Sequence, residues 1–566
     1  MTAGLSPPAH AELDGMLAEL AQGAAHWAAM PLEQRADLFS RTRTTVGKVS
    51  RRWAELAIRI KSTPPSVRGE EWLAGPYIIM AGLTTLAKTM RTVASGRSPV
   101  DGVRTGSAPG GRLTLEVMPL GLQEALLFNG LRGEIWMPPG VGYDAVRAGA
   151  GLGTLTPGVS GGVGLVLGAG NATLIGPYDV IYELVAYNRV SILKLNPTFR
   201  ELYSVYLEAF APLIEANVMR IINGDIATGE YLTSHPEIGH VHITGSRAAH
   251  DAIVWGVGAE GERRRSEGTP LLTKPITSEL GGVSPIIVVP GKWSEADIRY
   301  QAEHVVTQRI HNAGHNCVAG QSLILSSSWP QRSQFLDAIQ SLLDKVSPRA
   351  PWYPGSDRRM SLAEQEYPRA EHHGGRLLIR VDDSTSDALY NTEFFSLVLG
   401  HTELPGTGSA FLRDAVHFAN TRLVGQLGAC VIISPRERKA LGPRLEESLA
   451  DLRYGAIGVN CWTAFVFLSP TLAWGAYPGN TLDDVGSGIG VVHNGLLVPN
   501  PERSVVYGSF RPFPRSWPGG ESTIAPASPV FVTSKSNNAA SEALTHYAAR
   551  PGWSRIPRVF RSILFP

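Results

Sequence analysis

Apolar positions along the chain follow two different rhythms. Near the start, Leu13, Met16, Leu17 and Leu20 recur at helical spacing, and the stretch from Pro31 to Ile60 repeats the pattern, so residues 10–62 are expected to be helical. The segment GRLTLEVMPLGLQEALLFNGLRGEIWMPPG (111–140) is rich in branched and aromatic residues broken by glycine, which predicts strands or a hairpin. From about residue 161 the pattern becomes regular. GVGLVLG (162–168), RVSILKL (189–195), VMRIIN (218–223) and HVHIT (240–244) are apolar strand runs. They alternate with helical segments: a short one through Leu184, FRELYSVYLEAFAPLIEAN (199–217), and GEYLTSHP. Continuous apolar strands alternating with helices indicate a parallel sheet covered on both faces, with its ligand beyond the carboxyl ends of the strands.

A second α/β region follows. PIIVV (285–289) is a strand, Ser294 caps a helix running to about His311, and NAGHNCVAG forms a turn. Residues 515–550, rich in Pro, Ser, Gly and Asn, are expected to be a surface arm or linker.

Composition narrows the class. In 566 residues, 43% are hydrophobic and 18% charged, as in globular enzymes of two or three lobes. The formal net charge of +1 argues against a dedicated nucleic-acid binder. Three cysteines without paired spacing suit neither a disulfide framework nor a zinc site, so no metal is expected and a cytoplasmic setting is. The N-terminal sequence lacks the basic start and apolar run of a signal peptide, and no run of about 18 apolar residues predicts a transmembrane helix.

Three residues carry candidate chemistry. Cys317 lies in a glycine-flanked turn where backbone N–H groups can stabilise a thiolate and then an oxyanion, although most lone cysteines are small buried hydrophobes. Cys430, inside an apolar run, is packing, and Cys461 is assigned to structure as well. Glu279 ends a strand-like segment before two glycines, as a general base or an ordinary carboxylate before a turn. Asn171 follows the first strand of the doubly wound region, as an oxyanion donor or a capping amide.

The order of the motifs decides between these readings. GLVLGAGN, LKLNP, HITGS, SELGG, NAGHNCVAG and NTEFFSLVLG occur in succession, and residues 15–510 thereby resemble the aldehyde dehydrogenase superfamily. The resemblance implies Cys317 as nucleophile, Glu279 as general base and Asn171 as oxyanion amide. It assigns Lys194 to the adenosine ribose, Gly245 and Ser246 to the pyrophosphate, Glu393 to the nicotinamide ribose and Phe395 to a place beside the nicotinamide. Asn460 and the SGIG segment (487–490) match structural positions. The implied reaction is oxidation of a small-molecule aldehyde to a carboxylic acid through a cysteine thioester, with NAD or NADP as cofactor.

The implied fold is α/β: a doubly wound parallel-sheet cofactor domain, an α/β catalytic domain and a β-strand oligomerisation arm. The expected boundaries are 1–110 and 161–280 for cofactor binding, 111–160 and 486–515 for the arm, 281–485 for catalysis, and 516–566 as an extension. A homodimer or homotetramer follows from the resemblance.

Several positions depart from the family pattern. Ala169-Gly170-Asn171 replaces Pro-Trp-Asn, Ser396 and Leu397 replace Gly-Pro, and no G-x-G-x-x-G fingerprint follows TGS. Pro197 stands where NAD-preferring members often carry glutamate, with Arg200 nearby, which leaves NADP open. Glu279 favours water over coenzyme A as acyl acceptor, the alternatives being a CoA-acylating enzyme and a non-catalytic scaffold. Finally, GWSRIPRVFRSILFP (552–566) sets apolar residues against Arg555, Arg558 and Arg561. Such a basic amphipathic tail suits peripheral membrane contact or gating of a lipophilic channel; packing on the subunit is the plainer alternative, and Pro557 is expected to interrupt its helix.

Overall fold

The regular strand–helix alternation builds a sheet of six strands among the described residues. Its order is Gly488–Ile489, Ile276–Leu280, Ile238–Gly245, Val163–Leu167, Val190–Lys194 and Met219–Ile222. All neighbours are parallel except the first pair. The computed structural model describes residues 7–564; the start of the segment read for a leader and the last two residues of the tail lie outside the described residues.

Helices His10–Ala29, Leu32–Lys61, Ile78–Ala94 and Ile175–Ala186 share one apolar core with this sheet. Trp27 and Trp53 are fully buried there, and each indole N–H is satisfied, by Leu184 O at 3.1 Å and Thr173 Oγ1 at 2.8 Å. Burying a large side chain of this kind contributes about 2–3 kcal/mol, provided its polar tip finds such a partner.

The single helix expected over 199–217 is broken into a 3₁₀ turn, Pro197–Leu202, and two short helices, Tyr203–Ala209 and Ala211–Glu215. The break falls at Phe210 because Pro212 supplies no N–H and is tolerated only in a first turn. The helix expected after Ser294 runs Glu295–Ile310, and Ser294 and Asp297 form a reciprocal capping box.

Among the described residues, a second sheet has eleven strands. Its parallel centre comprises Arg503–Tyr507, Ala456–Val459, Gly428–Ile432, Ser284–Val288, Gly320–Ser326, Val398–Leu404 and Leu377–Arg380. Strands Arg104–Ala108, Arg112–Met118 and Arg132–Trp136 extend one edge antiparallel. The segment 111–140 is therefore a hairpin as expected, but with a helix, Leu122–Leu127, between its strands.

Strand pairings cross the expected divisions at three places. Arg104–Ala108 pairs with Arg112–Met118, so the hairpin straddles the limit set at residue 110. Gly488–Ile489 joins the six-stranded sheet, not the arm to which 486–515 was assigned. The strands expected as an arm form the edge of the larger sheet within the same chain, because Arg503–Tyr507 pairs with Arg132–Trp136 on one side and Ala456–Val459 on the other.

The C-terminal extension also differs from expectation. Residues 515–550 are no loose linker: Asn537–Ala549 is a helix, and Val530 and Phe531 are buried. Phe531 packs on Tyr300, ring centroids 5.1 Å apart, and stacks on His304 at 5.7 Å. Pro557 does not interrupt the tail helix. It sits in the first turn of Ile556–Leu564, where a missing N–H costs nothing, and Ile556 and Val559 are buried. No helix among the described residues is long and apolar enough to cross a membrane.

Candidate active site

Glu279 stands in the strand Ile276–Leu280, opposite Thr244 on one side and Gly488 on the other. A Cβ at Gly488 would meet Ser278 O at 2.1 Å, and φ there is +123°, so SGIG supplies the one residue type that lets its strand approach the glutamate. Ser487 reinforces the join: its hydroxyl donates to Gly281 O at 3.1 Å and its carbonyl accepts from Leu280 N at 2.8 Å. Glu279 is 1% exposed, and Trp474 Nε1 donates to its Oε2 at 2.8 Å.

Burial lifts the Glu279 carboxyl to about 7, helped by the negative charge of Asp179; the Cys317 thiol and the Trp474 N–H pull it down. Cys317 lies against this carboxyl. Burial, and then the charge of Glu279, push its thiol well above the ordinary cysteine range. The resting pair is therefore a protonated thiol beside a carboxyl poised near neutrality, which suits a general base working at physiological pH.

The turn that presents Cys317 is sharply wound. Asn312, Ala313 and Gly314 have φ of 53°, 54° and 78° in succession. Left-handed backbone at a non-glycine residue such as Ala313 costs roughly 1–2 kcal/mol and persists only where neighbours hold it. Gly314 has no alternative, since a Cβ would meet Ser396 O at 2.4 Å.

The neighbours that hold the turn are polar. Asn171 Nδ2 donates to His315 O at 3.1 Å, and Asn312 Nδ2 donates to Asn171 O at 3.0 Å. One of the two Asn171 amide hydrogens is thus engaged in fastening the turn to the end of the first doubly wound strand, leaving the other for an oxyanion. Gly170 fits this site because a Cβ would meet the Asn196 side chain at 2.7 Å, which explains why the bulkier pattern of the family is absent here.

Glu70 is a site residue that sequence reading missed. It is 2% exposed, accepts from Asn312 N at 3.0 Å, and is paired with Arg349 Nη1 at 2.9 Å. Burial alone would raise its pKa, but Arg349, His311 and the Asn312 N–H more than reverse this. Nothing local in VRGEEWLAG marks Glu70 over Glu71, which is itself buried against Lys61 Nζ at 2.9 Å.

Glu393 lies over the ELGG turn. A Cβ at Gly281 would meet its carboxylate oxygens at 2.0 and 2.2 Å. Burial raises the Glu393 carboxyl to about 8 against the pull of Arg309 and Arg359. Phe395, at φ 44°, packs on Tyr353 with ring centroids 5.1 Å apart and on His315 at 5.6 Å.

Lys194, Gly245 and Ser246 stand elsewhere, along the carboxyl edge of the six-stranded sheet. Lys194 ends its strand with its stem over Gly224, where a Cβ would meet Cε at 3.2 Å; burial lowers its ammonium pKa and Asp225 opposes this. Gly245 is exposed at the end of its strand, and Ser246 caps helix Arg247–Val254 by accepting from Ala249 N at 3.2 Å. The two strands flank Val163–Leu167, so a cation and an open helix N-terminus border the same edge.

Cys317, Asn171, Glu70, His311, Trp462 and Trp474 share one cleft of about 680 Å³. Cys430 and Cys461 are buried, as packing residues. No cluster of three or more metal-ligating side chains occurs among the described residues.

Residues 179–358, which include Glu279 and Cys317, match the model of the aldehyde dehydrogenase family. Solved structures share the fold at low identity. An NAD-dependent aldehyde dehydrogenase from Sinorhizobium meliloti is 16% identical, with a TM-score of 0.54 over 88% of this chain and 86% of that one. A gamma-glutamyl-gamma-aminobutyraldehyde dehydrogenase from Burkholderia cenocepacia is 15% identical, with a TM-score of 0.58 over 88% and 89%. An NADP-dependent glyceraldehyde-3-phosphate dehydrogenase from Bacillus halodurans, complexed with NADP, is 16% identical, with a TM-score of 0.55 over 88% and 92%. The matched segment is thus similar to that family, and the chain as a whole shares the fold of these solved structures.

Proposed function

We propose that this protein oxidises an aldehyde to a carboxylic acid, with Cys317 as nucleophile and NAD or NADP as cofactor. The observation that carries this reading is the contact of the Cys317 thiol with a buried glutamate whose pKa is about 7.

The residues fit a dinucleotide along the sheet edge. In this proposal Lys194 takes the adenosine ribose, Gly245 and the helix end behind Ser246 the pyrophosphate, and Glu393 and Phe395 the nicotinamide end. When bound, the nicotinamide accepts the hydride. The chain's own residues do the remainder. Glu279 takes the thiol proton, and Cys317 Sγ bonds to the aldehyde carbon. The carbonyl oxygen becomes an oxyanion facing the free N–H of the Asn171 amide and the backbone N–H of Cys317. Loss of hydride from that carbon leaves a thioester on Cys317. Glu279 releases the thiol's proton to solvent and then removes one from water; the hydroxide adds to the thioester carbon, the thiolate leaves and takes that second proton back from Glu279, and the acid departs. Pro197 in place of a ribose-binding carboxylate removes a group that would repel a 2′-phosphate, which leaves NADP admissible. Association into a homodimer or homotetramer belongs to the same proposal.

The test is a panel of aldehydes assayed with NAD, NADP and added coenzyme A, reading reduced cofactor and product together. Formation of acid without coenzyme A, abolished by Cys317→Ala, is the expected result. Acyl-CoA as the product would assign the thioester to the other acceptor, and activity retained by Cys317→Ala would overturn the mechanism.

A further inference from the structure

We infer that the substrate is a long or bulky apolar aldehyde, whose tail occupies a second chamber roofed by the C-terminal extension. This rests on the aldehyde-oxidising role of Cys317 and names the substrate class of that site.

The cleft at Cys317 does not end at its own walls. A larger space of about 1170 Å³ adjoins it, and Leu73, Trp462, Phe465, Leu468 and Val530 line both. The outer chamber is walled by Tyr77, Leu127, Phe128, Tyr300, Phe531 and Ile563. Three parts of the chain meet there. Leu73–Tyr77 is a π-turn with irregular backbone at Ala74 and Gly75, and it lines both spaces. The connection between the two strands of the 111–140 hairpin supplies Leu127 and Phe128. The extension supplies residues 523–531, two side chains of helix Asn537–Ala549, and Ile563 of the final helix.

Chemistry selects the occupant. Among the described residues, no Asp, Glu, Lys or Arg lines the outer chamber. Its one histidine, His304, is held neutral, since burial lowers it to about 4. In the inner cleft, burial likewise lowers His311 to about 4, and Glu70 is neutralised by Arg349. The lining offers hydroxyls and amides such as Asn129, Thr307 and Ser541 but no opposite charge, so a charged aldehyde would lose its water shell there without finding a counter-ion. An alkyl or aryl-alkyl tail gains about 25 cal/mol for each Å² of apolar surface it buries. The basic, amphipathic end of the chain is thus accounted for in part as a wall: its apolar face is turned inward, with Ile556 and Val559 buried and Ile563 on the chamber.

The experiment uses the full chain with acetaldehyde, butanal, octanal, dodecanal and hexadecanal. It compares the natural protein with Ala527→Trp and Ala525→Trp, two substitutions that fill the chamber from separate points and touch no group in the chemistry. We expect kcat/KM to rise with chain length in the natural protein. In both variants it should fall at least tenfold for dodecanal and hexadecanal and stay unchanged for acetaldehyde, which also shows that the variants fold. A preference for short aldehydes, or an equal loss at every length, would overturn the inference. Should no aldehyde be oxidised, dodecanol binding read by tryptophan fluorescence separates the two claims. Binding weakened tenfold by the variants sustains the chamber and rejects the reaction; binding unaffected by them rejects the chamber.

Discussion

Trp474 Nε1 donates a 2.8 Å hydrogen bond to Glu279 Oε2, inside the wall of the cleft that holds Cys317. The two residues lie 195 positions apart. The bond favours the ionised carboxylate, so it partly offsets the burial that raises the Glu279 pKa. Trp474→Phe keeps an aromatic ring to pack on Phe467, which lies 5.1 Å away, and removes the donor together with part of the indole's volume. A hydrogen bond to a charged group is worth about 1.5–3 kcal/mol. The ascending limb of the pH–rate profile is expected to move up by roughly one pH unit, since about 1.4 kcal/mol corresponds to one. An unmoved limb with a lowered kcat would assign Trp474 to packing alone.

The same carboxyl sets the pH dependence of the natural protein. Glu279 at about 7 is protonated below neutrality and cannot take the proton of the thiol or of water. Turnover is therefore expected to rise through pH 7 and level off above it. Glu279→Gln should lose that limb and at least a hundredfold in kcat, in line with removal of a general base. For stability the sign is opposite. A carboxyl raised in the folded state stabilises the protein below its unfolded value of 4.5, and this contribution is lost as pH rises through about 7. Glu279→Gln should accordingly unfold at higher denaturant concentration than the natural protein at pH 8, measured in urea.

Gly281 and Glu393 make a sharper test of the cofactor edge. A methyl group at Gly281 would overlap both carboxylate oxygens, and the carboxylate is the movable partner. Gly281→Ala should raise KM for the dinucleotide about tenfold by displacing Glu393. Glu393→Gln, which keeps the shape, should raise it less. An effect on aldehyde KM instead of cofactor KM, in steady-state kinetics, would remove Glu393 from the cofactor site.

The difference between what the sequence discloses and what it hides follows the range of the interactions. Cys317 in its turn and Glu279 before two glycines stand where steric demands are written locally, yet it was the order of the motifs that singled them out, and that order alone marked Glu393; Gly281, Gly314 and Gly488 each answer one close contact. The doubly wound strands were legible for the same reason, because burial on both faces leaves an uninterrupted apolar run. Trp474, Glu70 and Arg349 were not, since each acquires its role only from a partner far along the chain. The Pro- and Ser-rich stretch after residue 515 suggested a linker because short-range composition is blind to what a segment packs against. Phe531 folds inward upon Tyr300 and His304 of a helix more than two hundred residues earlier, and Val530 beside it in sequence is buried too.

Glu70 and Arg349 connect that hidden layer to activity. Both side chains are nearly inaccessible, at 2% and 4% exposure, and Glu70 also receives the Asn312 N–H that begins the Cys317 turn. Removing one partner of a buried pair typically costs about 3–5 kcal/mol, because the other charge is left uncompensated. Arg349→Met is expected to lose that much in urea unfolding at pH 8. Because the Glu70 pKa is depressed in the natural protein, its contribution is present above the unfolded value of 4.5 and is lost as pH falls through the folded value. Without Arg349, burial acts on Glu70 with less opposition, so the carboxyl takes up a proton more readily and the variant's deficit should shrink below pH 5. A deficit equal at both pH values would indicate lost packing instead of lost charge. Since a protonated Glu70 is a weaker acceptor for Asn312 N–H, the turn should loosen and kcat should fall with little change in aldehyde KM. Double replacement by Glu70→Gln with Arg349→Met should recover part of the stability but not the rate, because the amide fills the space without holding the turn as firmly.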